Sequence, residues 1–361
     1  MELLTSLRSV PRRTLVGTLP VLMGGPVAVT GQAAAQDAAP FRVEARIPLG
    51  TVRGRIDHLA VDVARKRVFL AELGNNTLGV VDLSAGAVMH RIEGLREPQG
   101  VAYLAGADIL LVANGGDGTV HRYRGADFAR LGSAMAIGSN ADNLRLDPAG
   151  GSLVWVGHGG VLFGLVGGGG LSALDGATGQ PAGSAIPLRA HPESFQLESG
   201  GPRAFVNLPR DGGSIAVLDR VERRQIGAWS VPGLGSNYPM ALDEPGRRLF
   251  VAFRDPPTLV VLDLGNGEVL GRLPIGGDTD DLFLDPRRRR VYAVCGEGLI
   301  DVFEESMAGN GRVPRHLKRF ASVPGARTGL FAPELDRLFV AAPVASGQGA
   351  ALWVLQPELL P

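Results

Sequence analysis

From residue 41 onward, apolar and polar residues alternate in short runs broken by Gly, Asn, Asp and Pro, the period-two pattern of half-buried strands. No helical period competes with it. One run recurs, a basic or turn residue followed by an alternating apolar strand. It reads Arg67-Val68-Phe69-Leu70, Asp108-Ile109-Leu110-Leu111 and Ser152-Leu153-Val154-Trp155, then Arg203-Ala204-Phe205-Val206 and Arg248-Leu249-Phe250-Val251. It ends as Arg290-Val291-Tyr292-Ala293 and Arg337-Leu338-Phe339-Val340. A second run closes the following strand, as in Val80-Val81-Asp82, Ala173-Leu174-Asp175, Val217-Leu218-Asp219 and Val261-Leu262-Asp263. The last three of these aspartates are 44 residues apart. Short strands repeating at about 40–50 residues predict four-stranded propeller blades.

The first repeat shows the plan. Leu59 to Val63 reads as the innermost strand, Val68 to Glu72 as the second, Leu78 to Leu83 as the third and Ala87 to Ile92 as the outer one. The last repeat has no fourth strand after Leu352-Trp353-Val354-Leu355, and an orphan strand precedes the first repeat at Phe41 to Ile47. The fold expected is therefore an all-β, seven-bladed β-propeller over 41–361, its ring closed by the N-terminal strand completing the last blade. The third repeat carries an insertion, Val161 to Val166 followed by four glycines, which reads as a peripheral loop, a flap over one face or a partner contact.

Composition agrees with a turn-rich β protein. The 361 residues include 52 Gly and 25 Pro, yet 45% are hydrophobic, too many for a disordered chain. Basic and acidic residues balance at 36 each, so no sustained pull on nucleic acid is expected. The basic run Arg287 to Arg290 reads as a solvated hairpin turn, with a polyanion contact as the alternative. The single cysteine, Cys295, ends a strand and reads as a buried inert thiol. With no Cys-x-x-Cys-His, covalent haem is excluded.

Residues 1–36 read as a signal peptide. Arg8, Arg12 and Arg13 precede an apolar stretch too interrupted by Gly and Pro for a membrane span, and Ala33-Ala34-Ala35 offers a small-residue cleavage site. Arg12-Arg13-Thr14-Leu15-Val16 fits a twin-arginine signal, with ordinary export of the unfolded chain as the alternative. The mature protein is expected in the periplasm or outside the cell, with no transmembrane segment and as a monomer.

Residues entering the innermost strands of a propeller ring its central channel. Aligned by repeat, they are Asp57-His58, Gln99-Gly100, Asp142-Asn143, Glu193-Ser194, Pro239-Met240, Asp280-Asp281 and Thr328-Gly329, with Arg327 close by. Asp57, His58, Gln99, Asp142, Asn143, Glu193, Asp280, Asp281 and Arg327 are the candidate ligand-binding residues. The acids Asp57, Asp142, Glu193 and Asp280 share one position. If they converge, they raise one another's pKa unless a cation intervenes, so a divalent metal (Ca²⁺, Mg²⁺, Mn²⁺ or Zn²⁺) is a candidate cofactor. The competing reading is a set of turn-capping acids. His191 stands one step from the mouth, and His158, between glycines, reads as a solvent-facing loop residue. There is no Gly-x-Ser-x-Gly, so nucleophilic catalysis has little support.

Gly54-Arg55-Ile56-Asp57-His58-Leu59-Ala60-Val61-Asp62, Gly74-Asn75-Asn76-Thr77 and Val80-Val81-Asp82 resemble the YVTN-repeat propellers of the YncE-like family, as do Ala190-His191-Pro192-Glu193-Ser194-Phe195 and Gly277-Asp278-Thr279-Asp280-Asp281-Leu282. The resemblance spans 41–361 and implies an exported seven-bladed propeller without specifying a reaction. Three functions are consistent with it. The first is a binding or scaffold propeller that recognises a protein, glycan or small polar ligand on its loop face. The second is a metal-dependent, lactonase-like hydrolase using the acidic mouth. The third is an accessory to periplasmic redox enzymes.

Overall fold

The computed structural model describes residues 39–162, 165–305, 312–345 and 347–359, and the leader read at 1–36 lies outside them. The strands form seven four-stranded antiparallel sheets, each a blade of a β-propeller. In blade one the strands are Leu59–Asp62, Arg67–Glu72, Thr77–Asp82 and Ala87–Ile92, within a residue of the sequence pattern. Blade seven takes Gly329–Ala332, Arg337–Ala342 and Ala351–Pro357 from the C-terminal end and Phe41–Pro48 as its outer strand. That closing strand pairs from Phe41↔Pro357 to Pro48↔Ala351, and Phe41 packs edge-on against Tyr292 and Phe320 of blade six. Ring closure thus rests on backbone pairing and aromatic burial together.

The core lies between blades. Each hydrophobic cluster combines two neighbouring sheets, as where Phe69 and Val80 of blade one meet Val101 and Leu110 of blade two. The pairing register puts Phe69, Trp155, Phe205, Phe250, Tyr292 and Phe339 at equivalent sites on the second strands, with Leu111 in blade two, all buried. Burying one such side chain contributes about 1.5–3 kcal/mol. Among the described residues, no helix is long and apolar enough to cross a membrane.

Two expectations need correction. The insertion in blade three is no loop, because it lengthens a hairpin whose backbone stays paired through Gly160↔Gly168 to Leu162↔Leu165. The basic run is only partly solvated. Arg287 is exposed, but Arg288 is buried against Asp285 and Asp336, and Arg290 is buried with its guanidinium on the Glu358 carbonyl. Cys295 is buried, and burial pushes its thiol up to about 12, as an inert thiol requires.

Candidate functional site at the channel mouth

Each blade contributes one residue to the mouth through the segment entering its innermost strand. The register there places Asp57, Gln99, Asp142, Glu193, Tyr238, Asp280 and Arg327 at equivalent positions. Two of these differ from the sequence alignment. In blade five Asn237 pairs with Phe253 as Ala141 pairs with His158, so Tyr238 takes the place assigned to Pro239. In blade seven Thr328 accepts from the Ala341 N–H as His58 accepts from Ala71, so Arg327 takes the place assigned to Thr328. Neither blade carries an acid at the mouth to fix the alignment.

The acids converge. Asp142, Glu193 and Asp280 line one small polar cavity with Arg55, His58, Asn143, Ser194 and Tyr238. About 20 Å³ of it is open to a water-sized body, room for an ion or a water. Arg55, two residues before Asp57, reaches into the ring, with Nη2 3.0 Å from Asp57 Oδ2 and 3.6 Å from Asp280 Oδ2. Arg254 bonds Asp280 and lies 3.7 Å above the centre of the Tyr238 ring, a cation–π contact. Arg327 donates to Asp278 Oδ1 at 3.0 Å, and Arg254 stands 3.3 Å from the same oxygen. His58 and Asn143 meet across the channel, with Nε2 and Nδ2 3.1 Å apart. Asp281 accepts the Gly329 N–H at 2.8 Å.

The electrostatics follow from this crowding. Desolvation, then Asp142, Asp280 and Asp57, push Glu193 up to about 8 against the opposing pull of Arg55. Burial likewise raises Asp57, against His58 and Arg55. Asp281, fully enclosed, is pushed up to about 7 mainly by burial, while His58 and the Gly329 N–H oppose the shift. Desolvation acts against the charge of Arg55, but the attraction of Asp57, Asp280, Asp142 and Glu193 outweighs it and keeps the guanidinium protonated.

Several polar atoms here are buried without a hydrogen-bond partner: both carboxylate oxygens of Asp57, Oδ2 of Asp280 and Oδ1 of Asn143. Arg55 is within ion-pair distance of Asp57, but its N–H groups are not aligned to donate. His191 is buried with Nε2 3.4 Å from Asp142 Oδ2 and 3.2 Å from Asn140 Nδ2, while its Nδ1 has no partner. A carboxylate and an amide N–H at one nitrogen ask for opposite protonation states. Gln99 stands behind this contact, donating to Asn140 Oδ1 at 2.8 Å.

Small residues make the crowding possible. A Cβ on Gly100 would come 2.1 Å from the Asp142 carbonyl, and one on Gly169 would come 2.4 Å from the Ala190 carbonyl beside His191. The glycines of blade three lie on a strand paired on both sides, and Gly169 leaves room for the segment that carries His191. His158 is buried on that hairpin, bonded to the Gly159 carbonyl at 2.7 Å and Ser172 Oγ at 2.9 Å, and is not the solvent-facing loop residue its glycine neighbours suggest.

Sequence reasoning did not single out Arg55 or Tyr238. The only local sign of Arg55 was a basic residue two positions before a mouth acid. For Tyr238 the sign was an aromatic just before the proline assigned to the mouth.

Fold and site together define a seven-bladed β-propeller with an acidic, partly uncompensated channel mouth. A scan against protein-family models matches none, and a search of curated proteins finds no similar sequence. Among solved structures the chain is similar to Kuenenia stuttgartiensis hydrazine synthase, with a TM-score of 0.69 and 13% identity over 81% of this chain and 93% of that one. At that identity the likeness shows the fold alone.

Proposed function

We propose that this chain is an exported binding propeller of the YVTN-repeat, YncE-like type. Its ligand site is the channel mouth, and the ligand is small, polar and able to offer positive charge or hydroxyl donors. The observation that carries this reading is the group of buried acceptor oxygens without donors on Asp57, Asp280 and Asn143. A buried acceptor left unbonded costs about 1–3 kcal/mol, so several in one place are a standing cost that a ligand's donors offset. Tyr238 and the exposed half of Arg55 extend the polar rim. The arginine-led apolar leader supports export to the periplasm or beyond.

Thermal unfolding with a panel of short amines, amino sugars and neutral sugars tests the reading. A true ligand at 100 times its Kd adds about 2.7 kcal/mol. That gain disappears in Asp57→Asn and Glu193→Gln. A panel without effect, or a gain that survives both substitutions, sinks the proposal. Cell fractionation and N-terminal sequencing test export, which predicts a mature chain beginning near residue 36 outside the cytoplasm.

One feature favours a second reading, a metal-dependent hydrolase acting on lactones: Asp142, His191 and Glu193 offer ligand atoms within 4.8 Å of one another. Turnover of a lactone panel by metal-loaded protein distinguishes it from a pure binding protein.

A further inference from the structure

We infer that the blade-three side of the mouth is a divalent transition-metal site, with Asp142, His191 and Glu193 as its protein ligands. This rests on the reading of the mouth as a ligand site and names a ligand for it.

The geometry is close to closing on an ion. One ligand atom from each residue lies within 4.8 Å of the other two. With metal–ligand bonds of about 2.1 Å, ligand atoms on opposite sides of an ion are about 4.2 Å apart, so small side-chain adjustments bring the three together. A second, independent observation is the pair of buried acceptors Asn143 Oδ1 and Asp280 Oδ2. Both are without hydrogen-bond partners and both residues line the cavity shared by Asp142 and Glu193. Asn143 is placed to hold a metal-bound water, while Asp280, whose Oδ2 faces Arg55 at 3.6 Å, stands outside the group of three ligands. The 20 Å³ of free space in that cavity suits an ion or a single water.

The charges also divide. Arg55 stands beside Asp57 and Asp280, and Arg254 bonds Asp280. Asp142 and Glu193 have no arginine within ion-pair distance among the described residues, which leaves two carboxylates for a dication. An imidazole with carboxylates favours zinc or manganese over calcium and magnesium, which prefer oxygen alone. His191 is buried and its Nδ1 has no hydrogen-bond partner, so one ring nitrogen is left for a ligand bond.

The test uses the folded protein, stripped with chelator and exchanged into chelator-free buffer. Zn²⁺ and, separately, Ca²⁺ are titrated by calorimetry, and Co²⁺ is followed by its visible absorption. The expected result is one Zn²⁺ per chain, weaker or absent Ca²⁺ binding, and Co²⁺ bands characteristic of nitrogen and oxygen ligation. His191→Gln should weaken Zn²⁺ by at least ~100-fold, because losing even an outer partner of a metal-bound histidine costs roughly 10–100-fold. Asp142→Asn should weaken it at least ~10-fold, a check that survives if His191→Gln folds poorly.

Absence of Zn²⁺ binding, binding unchanged in both variants, or tighter Ca²⁺ than Zn²⁺ overturns the inference. If Zn²⁺ fails while an amine or sugar still stabilises the protein through Asp57, the metal assignment falls and the binding reading stands. If neither binds, both fall.

Discussion

The propeller uses aspartate and arginine at the two ends of its innermost strands, and the two ends differ in how completely those charges are bonded. At the turn leaving the strand, Arg65 of blade one donates to Asp62 at 2.9 Å, to Tyr103 at 2.9 Å and to Asp108 of blade two at 2.8 and 3.2 Å. Blades six and seven repeat the device. Arg288 bonds Asp285 at 3.0 Å and Asp336 at 2.6 and 2.9 Å, while Tyr292 donates to Asp285 at 2.6 Å. The clamp carboxylates Asp108 and Asp336 sit below the ordinary range, because bonds to arginine outweigh what burial costs them. At the entry end, Asp57 and Glu193 sit above it and buried acceptors have no donors. A satisfied acid–arginine network holds blades together. An unsatisfied one marks a place where the fold gives up stability for something else.

The contrast can be broken first at the clamps. Arg288→Ala removes a buried guanidinium that bridges two blades and leaves Asp285 and Asp336 short of partners. Denaturant unfolding should show a loss of roughly 3–5 kcal/mol, as breaking a buried ion pair does. A loss too small to resolve would mean that the blades are joined by apolar packing alone.

The next effect depends on pH and belongs to the mouth. Asp281 titrates near 3.8 when unfolded and is pushed up to about 7 when folded. Between those values the folded state binds more protons than the unfolded one. The stabilisation from the protonated acid is therefore complete below about pH 4 and is lost as pH rises through 7. Asp281→Asn keeps an acceptor for the Gly329 N–H and removes this loss. Its stability relative to wild type should rise from pH 4 to 7 and level off above 8, by roughly 2–4 kcal/mol in all. A difference that does not change with pH contradicts the shift. The smallest expected effect is that of Arg65→Ala, whose guanidinium is far more exposed than that of Arg288. Its midpoint should fall less than that of Arg288→Ala in the same experiment.

The blades were readable because each repeats one local pattern: alternation, a turn, and a large apolar side chain at a fixed place on the second strand. Closure by the N-terminal strand followed from counting strands at both ends. The mouth was readable where an acid directly precedes the innermost strand, as at Asp57, Asp142, Glu193 and Asp280. It slipped at Tyr238 and Arg327, where no acid at the mouth fixes the alignment. The partners were least visible. Arg55 beside Asp280 and Arg254 over Tyr238 are contacts between blades, which no local pattern encodes. The meeting of His191 with Asp142 joins the entries of two successive blades and relies on Gly169 leaving room for the His191 segment. A run of glycines reads as a loop until its partner strand is known.

The central claim is that the mouth acids are kept for a ligand and cost the empty fold stability. The thermal midpoint of Asp57→Asn/Glu193→Gln at pH 7.5, with chelator and no added ligand, tests it without knowledge of the ligand. Removing acids that burial and neighbouring like charges penalise should raise the midpoint by roughly 2 °C or more. A midpoint that falls by several degrees, as expected for Arg288→Ala, would make these acids structural and contradict the account.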